Sequence, residues 1–143
     1  MMRVLLDTDV ILDFLLERQP YFEAANELME MIALGLFDGC ISSITPINVF
    51  YVGRKEIGGA KMRQGIFDLL TVLEICPVTD ETLSGALSLP FSDYEDAVQY
   101  ASATENGLDS IVTRNVDDYK NATLPVFSPA DFLARVRSSQ GPS

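Results

Sequence analysis

The apolar positions of this chain fall into short runs of two kinds. Arg3-Val-Leu-Leu6 is a run stopped by polar residues, the pattern of a short buried strand. From Val10 to Leu16 apolar residues recur on a helical period, with Thr8 or Asp9 placed to accept the first free amides as N-cap. Pro20 opens a second helix in which Phe22, Ala25, Leu28, Met29 and Ile32 repeat at steps of three and four. Gly35 and Gly39 break that helix, and a brief strand follows around Cys40-Ile41.

Thr45-Pro46 offers an N-cap followed by Pro at the first helical position. The helix it starts is expected to turn Ile47, Phe50 and Tyr51 to the core and to end near Gly58-Gly59. Another helix is predicted over Lys61 to Leu70, a strand over Val72 to Val78, and a helix capped by Asp80 through Leu87. Ser92-Asp-Tyr-Glu95 has the spacing of a capping box with Ser92 as N-cap. The helix after it stops at Asn106-Gly107. Strands over Ser110 to Thr113 and Val126-Phe127 and a helix from Ser128-Pro-Ala-Asp131 complete the order. Strands alternating with helices make this an α/β chain with a parallel sheet covered on both faces. No repeat or linker interrupts it, so residues 1–137 are expected to form one domain and 138–143 a flexible tail.

Composition narrows the chemistry. At 143 residues, 48% hydrophobic and 22% charged, the chain is an ordinary globular one, long enough for a sizeable core. No apolar run approaches the ~20 residues that span a bilayer. The first residues are too short an apolar stretch for a signal peptide, so a cytoplasmic protein with no membrane partner is expected. Cys40 and Cys76 sit among apolar residues and are expected to be reduced and buried. The absence of histidine excludes Ser-His-Asp and Cys-His catalysis and any His-bearing zinc site. General acid–base work falls to carboxylates, Lys, Tyr or a metal-bound water.

The net charge of −11 runs against nucleic-acid binding through phosphate neutralisation. Arg54, Lys55, Lys61 and Arg63 are nevertheless gathered within ten positions. They are either a solvated helix–loop–helix face or an RNA-binding edge.

Three acidic segments stand where strands end or helices begin: Asp7, the pair Asp93/Asp96, and Asp117/Asp118. Strand carboxyl ends of a parallel sheet converge on the crevice where ligands bind. Carboxylates crowded there repel one another unless they keep protons or a cation neutralises them. Hard divalent ions such as Mg²⁺ and Mn²⁺ prefer such oxygen donors. Asp93 and Asp96 share a helix face that Tyr100 would extend with a hydroxyl. Each acid also has a plain structural use, as a cap, as a partner of the helix dipole, or as a polar turn residue.

Leu5-Leu-Asp7-Thr-Asp-Val-Ile-Leu-Asp13, Asp93-Tyr-Glu-Asp96-Ala-Val-Gln-Tyr-Ala101, Ile111-Val-Thr-Arg-Asn-Val-Asp-Asp118-Tyr and Pro125-Val-Phe-Ser-Pro-Ala-Asp-Phe-Leu133 resemble, in order and spacing, the PIN-domain family. The likeness covers nearly the whole chain and is nearest to the small bacterial VapC-like toxins. It implies a three-layer α/β/α sandwich around a mainly parallel sheet. It also implies a Mg²⁺- or Mn²⁺-dependent ribonuclease, often a homodimer and often held by a small antitoxin. Carried over, Asp7, Asp96 and Asp118 become metal-binding catalytic acids. Thr113 and Asn115 line the pocket, with Asp93 in the outer shell. The pattern's fourth acid, a Glu after the second strand, is replaced by Asn48, which can offer an oxygen but no charge and no base. Asp9 stands where an Asn is common and would return some of that charge.

Two other readings compete. A PIN-like fold with weakened catalysis would be an RNA- or protein-binding module, with apolar helix residues such as Phe22, Phe37, Phe50 and Tyr51 either forming an interface or filling the core. Asp7-Thr-Asp9 also resembles the nucleophile and acid of haloacid-dehalogenase-type phosphatases, but Lys55, Lys61 and Lys120 are poorly placed for that family's lysine.

Overall fold

Val4, Leu5 and Leu6 are all fully buried, which one strand achieves only when helices cover both of its faces. The computed structural model, which describes residues 1–139, has that arrangement. Its strands are β1 (Arg3–Leu6), β2 (Asp38–Ser42), β3 (Glu74–Cys76), β4 (Ser110–Val112) and β5 (Val126–Phe127). They form one sheet in the order β3-β2-β1-β4-β5, and every neighbouring pair is parallel. Leu5 pairs with Cys40 on one side and Ile111 on the other.

Alternation along β1 divides the core. Val4 and Leu6 pack with residues of α1 (Thr8–Leu15), α2 (Phe22–Ala33), α3 (Thr45–Ile57), α4 (Gly59–Val72) and α7 (Pro129–Ser139). Leu5 points to the opposite face, where it meets Cys40, Ile111, Tyr100 and Ala103. That side is covered by α6 (Tyr94–Glu105), with α5 (Asp80–Ala86) packed on it. The result is the three-layer α/β/α sandwich around a parallel sheet. Cys40 and Cys76 are free and buried, as expected.

Several expectations are corrected. Gly39 does not break α2 but lies inside β2, where a Cβ would collide with the side chains of Ile32 and Leu73 packed over it. Helix α3 starts at Thr45 itself and buries Thr45, Val49 and Gly53, a stripe of small residues at steps of four. A Cβ at Gly53 would strike Met62 of α4, so the stripe sets how near the two helices approach. Ile47 and Tyr51, expected in the core, are turned outward and stay 61% and 52% exposed. Phe37 is core, while Phe22 and Phe50 are half-buried. Gly58, at φ +86°, joins α3 to α4 in one residue, a conformation that strains any side chain. Thr79, not Asp80, caps α5 in a capping box with Thr82. Helix α7 runs through Ser139, two residues into the expected tail; residues 140–143 lie outside the described residues.

Candidate active site

The strand order reverses at β1, between the β2-β3 half and the β4-β5 half of the sheet. A crevice opens at such a switch point beyond the strand carboxyl ends. Asp7 follows β1 there, its backbone N–H bonded to the carbonyl of Val112 at the end of β4 (3.0 Å). Its side chain, only 5% exposed, is fully engaged. Oδ1 accepts from the Thr8 amide (2.6 Å) and from Gln99 Nε2 (2.8 Å), and Oδ2 accepts from the Thr113 hydroxyl (2.7 Å). Asp7 is thus itself the N-cap of α1, the task expected of Thr8 or Asp9.

The second segment shifts by one residue from its expected capping box. Asp93, not Ser92, is the N-cap of α6, and its carboxylate accepts from the Asp96 amide (2.9 Å). Asp96, buried at the third helical position, accepts from the Tyr119 hydroxyl (3.2 Å). Tyr100 does not extend this face; its hydroxyl pairs with Thr123 on the far side of α6 (2.7 Å). Gln99, three residues after Asp96, takes the inward place and also reaches the Tyr119 hydroxyl (3.3 Å).

Asp9 ties down the chain that leaves β4. Its Oδ2 accepts from the Arg114 amide (3.3 Å) and from Asn115 Nδ2 (2.9 Å). Beneath it, Arg114 donates to the buried Asp13 through Nε (2.7 Å) and Nη2 (3.2 Å), with its guanidinium stacked 4.0 Å from the Tyr21 ring. Thr113 lies fully buried behind Asp7 instead of on the pocket wall, and Asn115 lines the mouth. Asp118 also lines it, exposed on a 3₁₀ turn over Val116–Tyr119 where a plain loop was expected.

These elements enclose a cavity of about 330 Å³ whose wall carries Asp7, Asp9, Asp93, Glu95, Asp96 and Asp118, together with Asn48. No Lys or Arg lines it among the described residues. The carboxylates that meet most closely are Asp7, Asp96 and Glu95, with one oxygen of each within 4.8 Å of the others. Glu95 was missed by sequence reasoning, as were Gln99 and Tyr119. The only signal for the two α6 residues was their place beside Asp96 and one turn beyond it.

Electrostatics record the crowding. Burial, then the nearby Asp7 and Asp93, push the Asp96 carboxyl up to about 7, against the opposing hydrogen bond from Tyr119. Asp9 is pushed up to about 7 by burial and Asp7, against the pull of Arg114. Glu95 is raised by burial, Asp7 and Asp93, with Asn48 opposing. The Tyr119 phenol is also raised, by burial and by the same acids, and so stays a donor. An oxygen-only set converging without a cationic side chain suits a hard divalent cation. Thr8, nine-tenths buried, lines the same pocket, and its hydroxyl has no hydrogen-bond partner among the described residues.

Comparison with known proteins identifies the family and the fold. A family profile described as PIN domain matches residues 3–117. The match ends one residue before Asp118. Among solved structures, DNA-bound VapBC from Salmonella typhimurium superposes with a TM-score of 0.69 at 19% identity, covering 90% of this chain and 99% of that one. A toxin–antitoxin complex from Klebsiella pneumoniae gives 0.65 at 22% identity, covering 88% and 97%. VapC20 of Mycobacterium tuberculosis, described as a toxin that cleaves the sarcin–ricin loop, gives 0.61 at 13% identity, covering 76% and 86%. No curated protein sequence matches the chain.

Proposed function

The chain belongs to the PIN-domain family, and from that premise we propose that it is a metal-dependent endoribonuclease acting on single-stranded RNA, the toxin of a toxin–antitoxin pair. The observation that carries this reading is the convergence of Asp7 and Asp96, from two separate elements, in one acidic pocket at the sheet's switch point that no Lys or Arg lines among the described residues. Asp7 and Asp96 would hold Mg²⁺ or Mn²⁺, with Asp118 at the mouth reaching it directly or through water. When bound, such an ion supplies a Lewis acid and an acidified water for phosphodiester hydrolysis.

The chain's own residues prepare the place. Gln99, Thr113 and the Thr8 amide fix both oxygens of Asp7, and Tyr119 orients Asp96. Asp9 and the Asp13–Arg114 pair hold the segment that presents Asn115. Asn48 carries no charge and cannot take a proton from water, so it acts here through hydrogen bonding.

A protein partner is supported by a separate surface. Ile47, Tyr51, Phe67 and Leu70 line an exposed apolar groove between α3 and α4, of the kind that marks interaction sites. Structural relatives that are VapBC and toxin–antitoxin complexes favour a small antitoxin there or nearby, and a second copy of the chain is the other candidate. A cytoplasmic location follows from this reading. The phosphatase alternative is less well supported, since Asp9 is spent on the β4 loop and no lysine lines the pocket among the described residues.

The test is incubation of a mixed single-stranded RNA pool with the protein in Mn²⁺, Mg²⁺ or chelator. Internal cleavage that needs the metal is expected. Cleavage undiminished by chelator, or release of phosphate from small phosphoesters in place of RNA cleavage, would overturn the proposal.

A further inference from the structure

Asn48 and Glu95 are 47 positions apart and belong to opposite layers, yet Asn48 Nδ2 donates directly to Glu95 Oε2 across the pocket. Glu95 is the second residue of α6 and the immediate neighbour of Asp96. Successive helical side chains diverge by about 100°, so two adjacent carboxylates do not share a target unless one bends back. Here both come within 4.8 Å of Asp7. A half-buried carboxylate beside two others gains nothing from that position alone. Among the described residues its one side-chain hydrogen-bond partner is the neutral amide of Asn48.

No Lys or Arg lines the pocket among the described residues, and the Arg114 guanidinium is committed to Asp13. The wall also holds the buried, unpartnered hydroxyl of Thr8.

We infer that Glu95 is a metal ligand of this site, steered inward by Asn48, so that the acid missing from α3 is supplied by the first turn of α6. The inference rests on the metal-site reading above. Asn48 then does not weaken the site. A glutamate at 48 would set a second carboxylate against Glu95 and remove the N–H that orients it. With Glu95 neutralised, by contrast, an acid at 48 would face an amide, and the pair would be restored with its chemistry exchanged.

The test is Mn²⁺ binding, followed by calorimetry and by the electron paramagnetic resonance of free Mn²⁺. Wild type is compared with Asp7→Asn, Glu95→Gln, Asn48→Glu and the double variant Asn48→Glu/Glu95→Gln. Glu95→Gln is nearly isosteric, and its metal-free thermal unfolding checks that it folds. The inference expects Glu95→Gln to weaken binding by about tenfold or more. It expects Asn48→Glu alone to give no gain, and the double variant to recover to within about threefold of wild type. If Asp7→Asn abolishes binding while Glu95→Gln binds like wild type, the Glu95 assignment is wrong and the metal site stands. If the double variant stays as weak as Glu95→Gln, the steering role of Asn48 is wrong. Wild type that binds no Mn²⁺, or Asp7→Asn that binds it fully, overturns the metal site and this inference together.

Discussion

Helix α3 borders two surfaces that break the usual rules in opposite ways. On its inner side Asn48 faces a pocket in which six carboxylates gather with no Lys or Arg in the wall among the described residues. On its outer side Ile47 and Tyr51 lie open to solvent beside Phe67 of α4, which is 65% exposed. The chain's clustered cations are on that outer side too, with Arg54 stacked 4.5 Å from Tyr51 and Arg63 5.4 Å from Phe50. One surface accumulates like charge, and the other leaves apolar area wet. Neither lowers the free energy of the isolated chain, and each is relieved by something absent from it. On the proposed reading, a cation relieves the first and a protein face the second.

The sharpest way to break this contrast is at its acidic end. Asp7→Asn is expected to reduce metal-dependent RNA cleavage by about a hundredfold or more, the scale for losing an essential electrostatic group. Circular dichroism should show the fold retained, because the amide can keep part of the cap on α1. Cleavage surviving at full rate would remove the pocket from the mechanism.

Next in size is the ion pair beneath the pocket. Asp13 is buried and has Arg114 as its partner, so Arg114→Ala leaves a stranded carboxylate. Removing one member of a buried pair costs about 3–5 kcal/mol, and denaturant unfolding should show most of that. A cost below about 1 kcal/mol would place the pair among surface bridges.

A smaller effect follows from the raised carboxyls. Asp9 and Asp96, each pushed up to about 7, hold protons in the folded state that the unfolded chain loses near pH 4. Folded-state pKa values above the unfolded ones give a stabilising contribution that is complete below pH 4 and lost as pH rises through about 7. In chelator, Tm should therefore fall between pH 5 and pH 8, by on the order of 5 °C. Mn²⁺ should restore it at pH 8, and Asp96→Asn should flatten the decline. A metal-free Tm independent of pH in wild type would mean that the acids are not crowded.

Smallest of all should be the effect of Ile47→Asp or Phe67→Asp on the isolated chain. Solvent-facing changes of this kind fall within about 0.5 kcal/mol, so stability and cleavage should hold. What should change is association, read by sedimentation of the protein alone and with a candidate antitoxin. Unchanged association with both would separate the α3–α4 groove from any partner.

These two surfaces also show what the sequence made legible. Asp7 could be read because an acid after an apolar strand has one place to go, and Asp96 because it begins a helix pointed at the same edge. The order of elements along the chain, a parallel sheet covered on both faces, and most helices followed from run length and period; the order of strands across the sheet did not. The side of α3 that faces inward did not follow. Its apolar stripe, Ile47 and Tyr51, competes with a stripe of Thr45, Val49 and Gly53, and close approach to Met62 favours the smaller residues. Hydropathy favours the bulkier stripe and cannot register that distance. The polar network was hidden for a similar reason. Whether Gln99 or Tyr100 meets the pocket is a matter of one helical step, and Tyr119 becomes a donor to Asp96 only through the 3₁₀ turn. The Asn48–Glu95 contact joins opposite layers and has no local signature at all.

The most direct test of the pocket's role is a crystal structure grown with Mn²⁺ and a non-hydrolysable single-stranded RNA, read through the anomalous signal of the metal. The account predicts a Mn²⁺ peak between Asp7 and Asp96, with a backbone phosphate of the RNA bound to it. RNA lying elsewhere on the surface, with no metal in the pocket at saturating Mn²⁺, would contradict it.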